Sequence, residues 1–275
     1  EELTGSDWNM IEKTVPHLHA EYSAKKSLTS VDRAQLSESI LESFGPGRVM
    51  FRNTRKVLKG FPKRQPVLHP LDSPTEENTP FDQKVSWLVN WLNENEDEKI
   101  LLICKTRSLV EEIYEAVQER INLKLSQFHE GLNLVQRDRQ AAYFAEPEGA
   151  RVLICSEIGS EGRNFQFAHH LIVWDLPENP ELLEQRIGRL DRIGQTETIH
   201  IHLPFARNSA EEVWVRFYDQ GLGIFNNPVP TALILAHTFG ETLENLSDEF
   251  DPDALQKLLS EIADAREKLG EELEN

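Results

Sequence analysis

At 275 residues, with 39% hydrophobic and 28% charged side chains, the chain has room for one large α/β domain, or for a medium domain with helical additions, and its composition is that of a soluble globular protein. No stretch approaches the roughly 20 apolar residues of a membrane span, and the start, EELTGSDWNM, has neither the basic nor the apolar part of a signal peptide and no initiator Met, so it reads as cut from something larger. The net charge of −18 argues on average against nucleic acid, but residues 48–64 carry seven basic residues and no acid while 241–275 carry twelve acids against three bases, so a local basic surface stays open to phosphate.

In chain order, residues 1–47 read as short helices. Asp32, Arg33, Leu36, Ile40, Leu41 and Phe44 suggest one amphipathic helix, stopped at Gly45-Pro46-Gly47. The basic segment RVMFRNTRKVLKGFPKR (48–64) follows, and HPLDSPTEENTP (69–80), with three prolines and no apolar period, predicts a linker. From residue 81 helix and strand patterns alternate. Phe81, Val85, Leu88, Trp91 and Leu92 mark one helical face, and Leu109, Val110, Ile113, Val117 and Ile121 mark the next. KILLICK (99–105), RVLICSE (151–157), HLIVWDL (170–176) and TIHIHLPF (198–205) are apolar runs of strand length, with a weaker strand ahead of Phe128-His129 and a helix from Val135 to Phe144. Asn179-Pro180 and the capping box Ser209 to Glu212 open two more helices. Asp251-Pro252 opens an acidic C-terminal helix with Leu255, Leu258, Ile262 and Leu269 as its apolar stripe.

Fully apolar strands alternating with helices predict an α/β fold, a parallel sheet with helices on both faces and helical additions at both ends. Ligands bind such sheets beyond the carboxyl ends of the strands. The polar residues placed there are Lys105-Thr106-Arg107, His129-Glu130-Gly131, Ser156 to Asn164, and Asp175. No Gly-x-x-x-x-Gly-Lys-[Ser/Thr] loop is present, and no DExH or DExD stretch follows a strand. The domain therefore does not grip nucleotide phosphates and Mg²⁺ by the usual route; it either does something else or supplies half of a composite site.

Cys104 and Cys155 each sit in an apolar run and predict buried small hydrophobes rather than a disulfide or a metal pair. Trp8, Trp87, Trp91, Trp174 and Trp214 predict packing rather than base stacking. His129, His169, His170, His200 and His202 invite a metal, but His200 and His202 alternate on one strand face with no third ligand spaced to join them, so none is expected.

The helix from Asn179 reads PELLEQRIGRLDRIGQ. On a helical wheel Leu183, Ile187 and Leu190 share one side, and Gln185, Arg189 and Arg192 share nearly the opposite one. A solvated basic stripe is the ordinary meaning of such a face; planar donors aimed at phosphate oxygens are the functional one. The segment also fits QxxGRxxR with the extension RIGQ, and it resembles the helicase superfamily-two motif in its Swi/Snf form. ICSEIGSEGRNFQFAHHLIVWDLPENP is similar to the preceding motif of that family at Gly159, Gly162, Asn164, Ala168, Asp175, Asn179 and Pro180, with Ser160 in place of a common glycine and Arg163 as a basic addition. KILLICKT resembles the lobe's opening motif, and FHEGLNLVQRDRQAAYF, with one residue extra, its HG…R segment. RVMFRNTRKVLKGFPKR resembles the joint between the two Swi/Snf lobes through Arg52, Arg55, Val57, Phe61 and Pro62.

The resemblance covers roughly residues 48–65 and 81–225, and its form is that of bacterial RNA polymerase-associated ATPases. It implies a RecA-like second motor lobe over 81–225, with 1–47 a tail of the first lobe or an insertion, 48–80 an interlobe joint and linker, and 226–275 a helical extension. It implies ATP with Mg²⁺ as cofactors, the Mg²⁺ held mainly by a first lobe elsewhere in a longer chain. Arg189 and Arg192 would act on the phosphates, supported by Gln185, Gly188, Ser160, Glu161 and Gly162. Lys105, Thr106, Arg107, Ser156, Arg163 and Asn164 would touch the backbone of double-stranded DNA, and Arg52 and Arg55 would bridge lobes or touch DNA. The implied partners are double-stranded DNA, RNA polymerase and the N-terminal motor lobe, in the bacterial cytoplasm at the nucleoid and away from the membrane. A DEAD-type RNA helicase lobe and a non-catalytic polymerase-binding module are the competing readings; the FRNTR…FPKR joint argues against the first, and the intact arginine pair against the second.

Overall fold

The computed structural model describes residues 61–157, 165, 167–192 and 195–274. The chain divides into compact units Glu1–Lys59 and Gly60–Asn275, and every described residue belongs to the second. Arg52, Arg55, the helix expected around 32–44, Trp8, and the loop residues Ser160, Glu161, Gly162, Arg163 and Asn164 lie outside the described residues.

Six strands form one sheet in the order β1-β6-β5-β2-β4-β3. They are β1 (Arg64–Leu71), β2 (Ile100–Cys104), β3 (Leu125–Phe128), β4 (Val152–Ser156), β5 (His170–Val173) and β6 (Ile199–Ala206), every pairing parallel. Helices α1 (Pro80–Glu94), α2 (Arg107–Arg120), α3 (Leu134–Ala145) and α4 (Pro180–Ile187) connect them. The strands bury alternate side chains on opposite faces because the side-chain period of a strand is two. Ile100, Leu102, Val152, Ile154 and Ile172 meet Val85, Leu88 and Leu92 of α1 and Val110, Ile113 and Val117 of α2. Leu101, Ile103, Leu153, Leu171, Val173 and Ile201 face Phe144 of α3 and Leu183 and Ile187 of α4. Cys104 and Cys155 are buried and unbonded, as expected of small core residues.

Two local readings are corrected. The stretch expected to begin a linker at residue 69 still belongs to β1, which runs to Leu71 and pairs residue by residue with β6 from Arg64↔Ile199 to Leu71↔Ala206. Pro66 and Pro70 are tolerated there because, among the described residues, β1 pairs on one side only, and proline need not donate on the other. At the capping box of Ser209 to Glu212, Ser209 accepts from the Glu211 N–H at 3.2 Å rather than from that of Glu212. Glu212 instead reaches one residue further back, to the Asn208 N–H at 2.8 Å.

After β6, helix α5 (Ala210–Arg216) runs straight into a single π-helical turn, Phe217–Leu222, closed by Gly223 at φ 67. Helices α6 (Ala232–Asp248) and α7 (Pro252–Glu274) complete the unit. The Asp251 carboxylate caps α7 by accepting from the N–H groups of Asp253 at 2.9 Å and Ala254 at 3.1 Å. Leu255, Leu258, Leu259 and Ile262 are buried in the same core as Phe217 and Tyr218. At Gly221 on the π-helical turn an added Cβ would stand 3.2 Å from Ile262 Cγ2, so the turn accepts α7 closely because it offers no side chain. The acidic residues stay on the outer face, which lets a strongly charged helix dock by its apolar stripe.

Candidate functional site

In an open parallel sheet the crevice forms where the strand order reverses. Here β4 and β5 flank β2, and the chain passes from β4 on one side of it to β5 on the other. Three residues stand just past the carboxyl ends of those central strands: Lys105 after β2, Glu157 after β4 and Asp175 after β5.

One buried arginine ties them together. Arg186 on α4 has 2% of its side chain exposed. Its Nε and Nη2 donate to Glu157 Oε1 and Oε2 at 3.0 Å each, a two-pronged pair. Its Nη1 and Nη2 each donate to Asp175 Oδ1 at 3.0 Å, and Nη1 also reaches the Asp175 carbonyl. Asp175 Oδ2 in turn accepts the Lys105 N–H at 2.9 Å. Burial pulls the guanidinium pKa down, but the Glu157 hydrogen bond and the Asp175 charge overcome that and raise it, so Arg186 stays charged. The backbone at Lys105, Glu157 at the end of β4 and the motif helix are thus held in one frame.

Around that frame, Thr106 caps α2 by accepting from the Leu109 N–H at 3.3 Å. Lys105 and Arg107 are exposed. Arg107 pairs with Glu111 at 2.8 Å and lies so close to Gly131 that an added Cβ there would stand 2.4 Å from its Nη1. Ser156 is placed differently from the expectation. Its side chain is buried, and its hydroxyl donates to Glu130 Oε2 at 2.6 Å. That bond, chiefly, lowers the Glu130 pKa. Ser156 therefore anchors the His129–Gly131 loop rather than presenting itself to a phosphate.

The wheel reading of the motif is corrected in one respect. Helix α4 ends at Ile187, with Gly188 as its cap, so Arg189 and Arg192 lie on the turn beyond it and not on one continuous face with Gln185. Gln185 is exposed, Arg189 buried at 8% exposure and Arg192 half-buried. Arg192 Nε donates to the Gly188 carbonyl at 3.1 Å, and the Arg189 carbonyl accepts the Phe165 N–H at 3.3 Å. Between the two arginines Asp191 is held by Arg64 of β1, whose Nε donates to Asp191 Oδ2 at 2.6 Å while Nη1 and Nη2 donate to the two oxygens of Glu184 at 2.9 Å.

Arg186, Glu157, Arg64, Glu184 and Asp191 escape a reading from spacing alone. Only Arg186 leaves a signal: it lies three residues after Leu183 and four before Leu190, on the apolar side of the wheel, where an arginine must be paired.

The comparisons agree with this geometry. The helicase conserved C-terminal domain family matches residues 83–194, and the RNA polymerase recycling family C-terminal domain matches 198–275. Among curated relatives, the RNA polymerase-associated protein RapA of Pseudomonas putida F1 is 43% identical over 269 residues, which cover 87% of this chain and 28% of that protein. RapA of Pseudomonas savastanoi pv. phaseolicola is 42% identical over 270 residues, covering 88% and 28%. Among solved structures, the C-terminal part of the Fun30 ATPase domain superposes at a TM-score of 0.45 with 15% identity, covering 95% of this chain and 75% of its own. The described unit is thus a RecA-like helicase C-terminal lobe. The chain belongs with the RapA proteins, as a C-terminal lobe that spans 28% of the length of these relatives.

Proposed function

We propose that this lobe is the second half of an ATP-driven motor that moves along double-stranded DNA and remodels or recycles RNA polymerase. The observation that carries the reading is the Arg186 frame, which joins the motif helix to the loops at the reversal point of the sheet. In the proposed mechanism a first lobe of the longer chain holds ATP and Mg²⁺. This lobe closes on the nucleotide and brings Arg192 and Arg189 to the β- and γ-phosphates. Water attacks the γ-phosphorus, the bond to the β-phosphate oxygen breaks, and ADP leaves. Negative charge on the transferring group is then neutralised by guanidinium donors, which suit a reaction that is mostly positioning and electrostatics. Gln185, Gly188 and the Ser160–Gly162 turn would complete the nucleotide face. Gly188 fits a close approach, since it ends the helix without a side chain.

Lys105, Thr106, Arg107, Arg163 and Asn164 would grip the DNA backbone, with Ser156 supporting them through Glu130. Contacts to phosphate carry no sequence information, which suits a motor. Arg52 and Arg55 would join the lobes. RNA polymerase is the partner that the RapA relatives' names indicate, and the bacterial cytoplasm follows from that partner. The test is DNA-stimulated ATP hydrolysis by the full-length protein with Arg192→Ala, alongside nucleotide binding. Turnover near that of the unaltered protein would overturn the assignment.

A further inference from the structure

At the amino-terminal edge of the sheet, away from the Arg186 frame, the fold collects a group that spacing in the sequence does not reveal. Glu98 precedes β2, His169 precedes β5 and His170 opens it. His169 Nε2 stands 3.1 Å from Glu98 Oε2, and His170 Nε2 stands 3.4 Å from the same oxygen. All three donor atoms lie within 4.8 Å of one another. A tetrahedral zinc site with bonds of about 2.0–2.1 Å holds its ligand atoms about 3.3 Å apart, so the two measured edges need almost no adjustment. We propose that Glu98, His169 and His170 form a site for a zinc-class divalent cation, with water as the fourth ligand on the open side.

The surroundings orient the donors as a metal site requires. His170 Nδ1 is 2.9 Å from His202 Nε2, and His202 Nδ1 is 3.0 Å from His69 Nε2. A chain of imidazoles has two proton directions. In one, His170 carries its proton on Nε2 and donates it to Glu98. In the other, Nδ1 carries the proton and donates to His202, His202 Nδ1 donates to His69, and His170 Nε2 presents a bare lone pair. The second direction is the ligand tautomer, fixed by the hydrogen bond at the far ring nitrogen as in other histidine–metal sites. Trp91 packs against both rings, 5.2 Å from His170 and 5.0 Å from His202. The His200 N–H donates to the His169 carbonyl at 2.8 Å and holds that ligand's backbone to β6. An ion there would pin the approach to β2 onto the start of β5. The proposal is independent of the ATP reading, because the two sites are at opposite ends of the strands.

The experiment uses untagged full-length protein, stripped with chelator and titrated with Zn²⁺ and with Co²⁺. The unaltered protein is expected to bind one more equivalent than Glu98→Gln or His169→Ala. It should also give a tetrahedral Co²⁺ absorption that both variants lack, with affinity in Glu98→Gln lowered by at least about tenfold. Both altered side chains are partly exposed, so the variants should fold; melting in chelator confirms it. Zn²⁺ should raise Tm of the unaltered protein, which reads the site without any substitution. Equal metal content in all three proteins, or no Zn²⁺-dependent rise in Tm, overturns the proposal and leaves simple imidazole–carboxylate hydrogen bonds.

Discussion

Arg64 and Asp191 are 127 residues apart in sequence and meet through a 2.6 Å hydrogen bond in the interior. Their side chains are 3% and 2% exposed. Burial lowers the Arg64 pKa, but Glu184 first and Asp191 second raise it above the ordinary value. The pair joins the first residues of the edge strand to the turn that carries Arg189 and Arg192.

Removing Arg64 takes a charged hydrogen-bond partner from the buried Asp191 carboxylate and from Glu184, so Arg64→Ala should destabilise this chain by about 3–5 kcal/mol. Replacing both partners, Arg64→Met with Asp191→Leu, should recover part of that loss, because the buried Asp191 carboxylate leaves with its partner and only the more exposed Glu184 loses its arginine. Urea denaturation of the two variants decides it. A double variant no more stable than Arg64→Ala alone would refute the account.

In the full-length protein Arg192→Ala should lower kcat by about 10²–10⁴ while changing nucleotide affinity by less than roughly tenfold. The reason is that the guanidinium is needed chiefly as charge develops. Arg189→Ala should behave similarly, and the double variant should fall well short of additivity. Arg192→Lys should not rescue, since an ammonium lacks the planar fork. Steady-state ATPase rates with nucleotide titrations check all four.

Arg186→Lys is a sharper probe of the frame than Arg186→Ala. The lysine keeps the charge but cannot bind Glu157 with two prongs and Asp175 together, so stability should fall markedly in both variants. Thermal melting of each reports it; a Lys variant as stable as the parent would mean that charge alone suffices.

The isolated 275-residue chain should not hydrolyse ATP, because its sequence carries neither a phosphate-binding loop nor a DExH stretch. It should bind duplex DNA weakly, with no sequence preference and with affinity falling steeply as salt rises. Fluorescence titrations at two salt concentrations test this, and salt-resistant binding would contradict backbone contact.

Helix α7 should behave as part of the lobe. Ile262 is fully buried against the π-helical turn, so Ile262→Ala should cost about 2–5 kcal/mol. Residues 253–270 should resist limited proteolysis in the parent and become cleavable in the variant.

The sequence alone determined the alternating strands and helices, the parallel sheet, the caps at Asn179 and Asp251, and the helicase-like motif around Arg189. These rest on local order: periods of two and 3.6, and caps that span a few residues. Tertiary structure decided the rest. The proline-bearing stretch 64–71 became a strand only because β6 offered it an edge. The helix stopped at Ile187, which separated Gln185 from the two arginines. Ser156, a polar residue after a strand, was drawn inward by Glu130. The charged partners of Arg64, Arg186 and His169 lie between 11 and 127 residues away. No local pattern encodes such a partner, because a buried charge selects whichever opposite charge the packed sheet brings beside it.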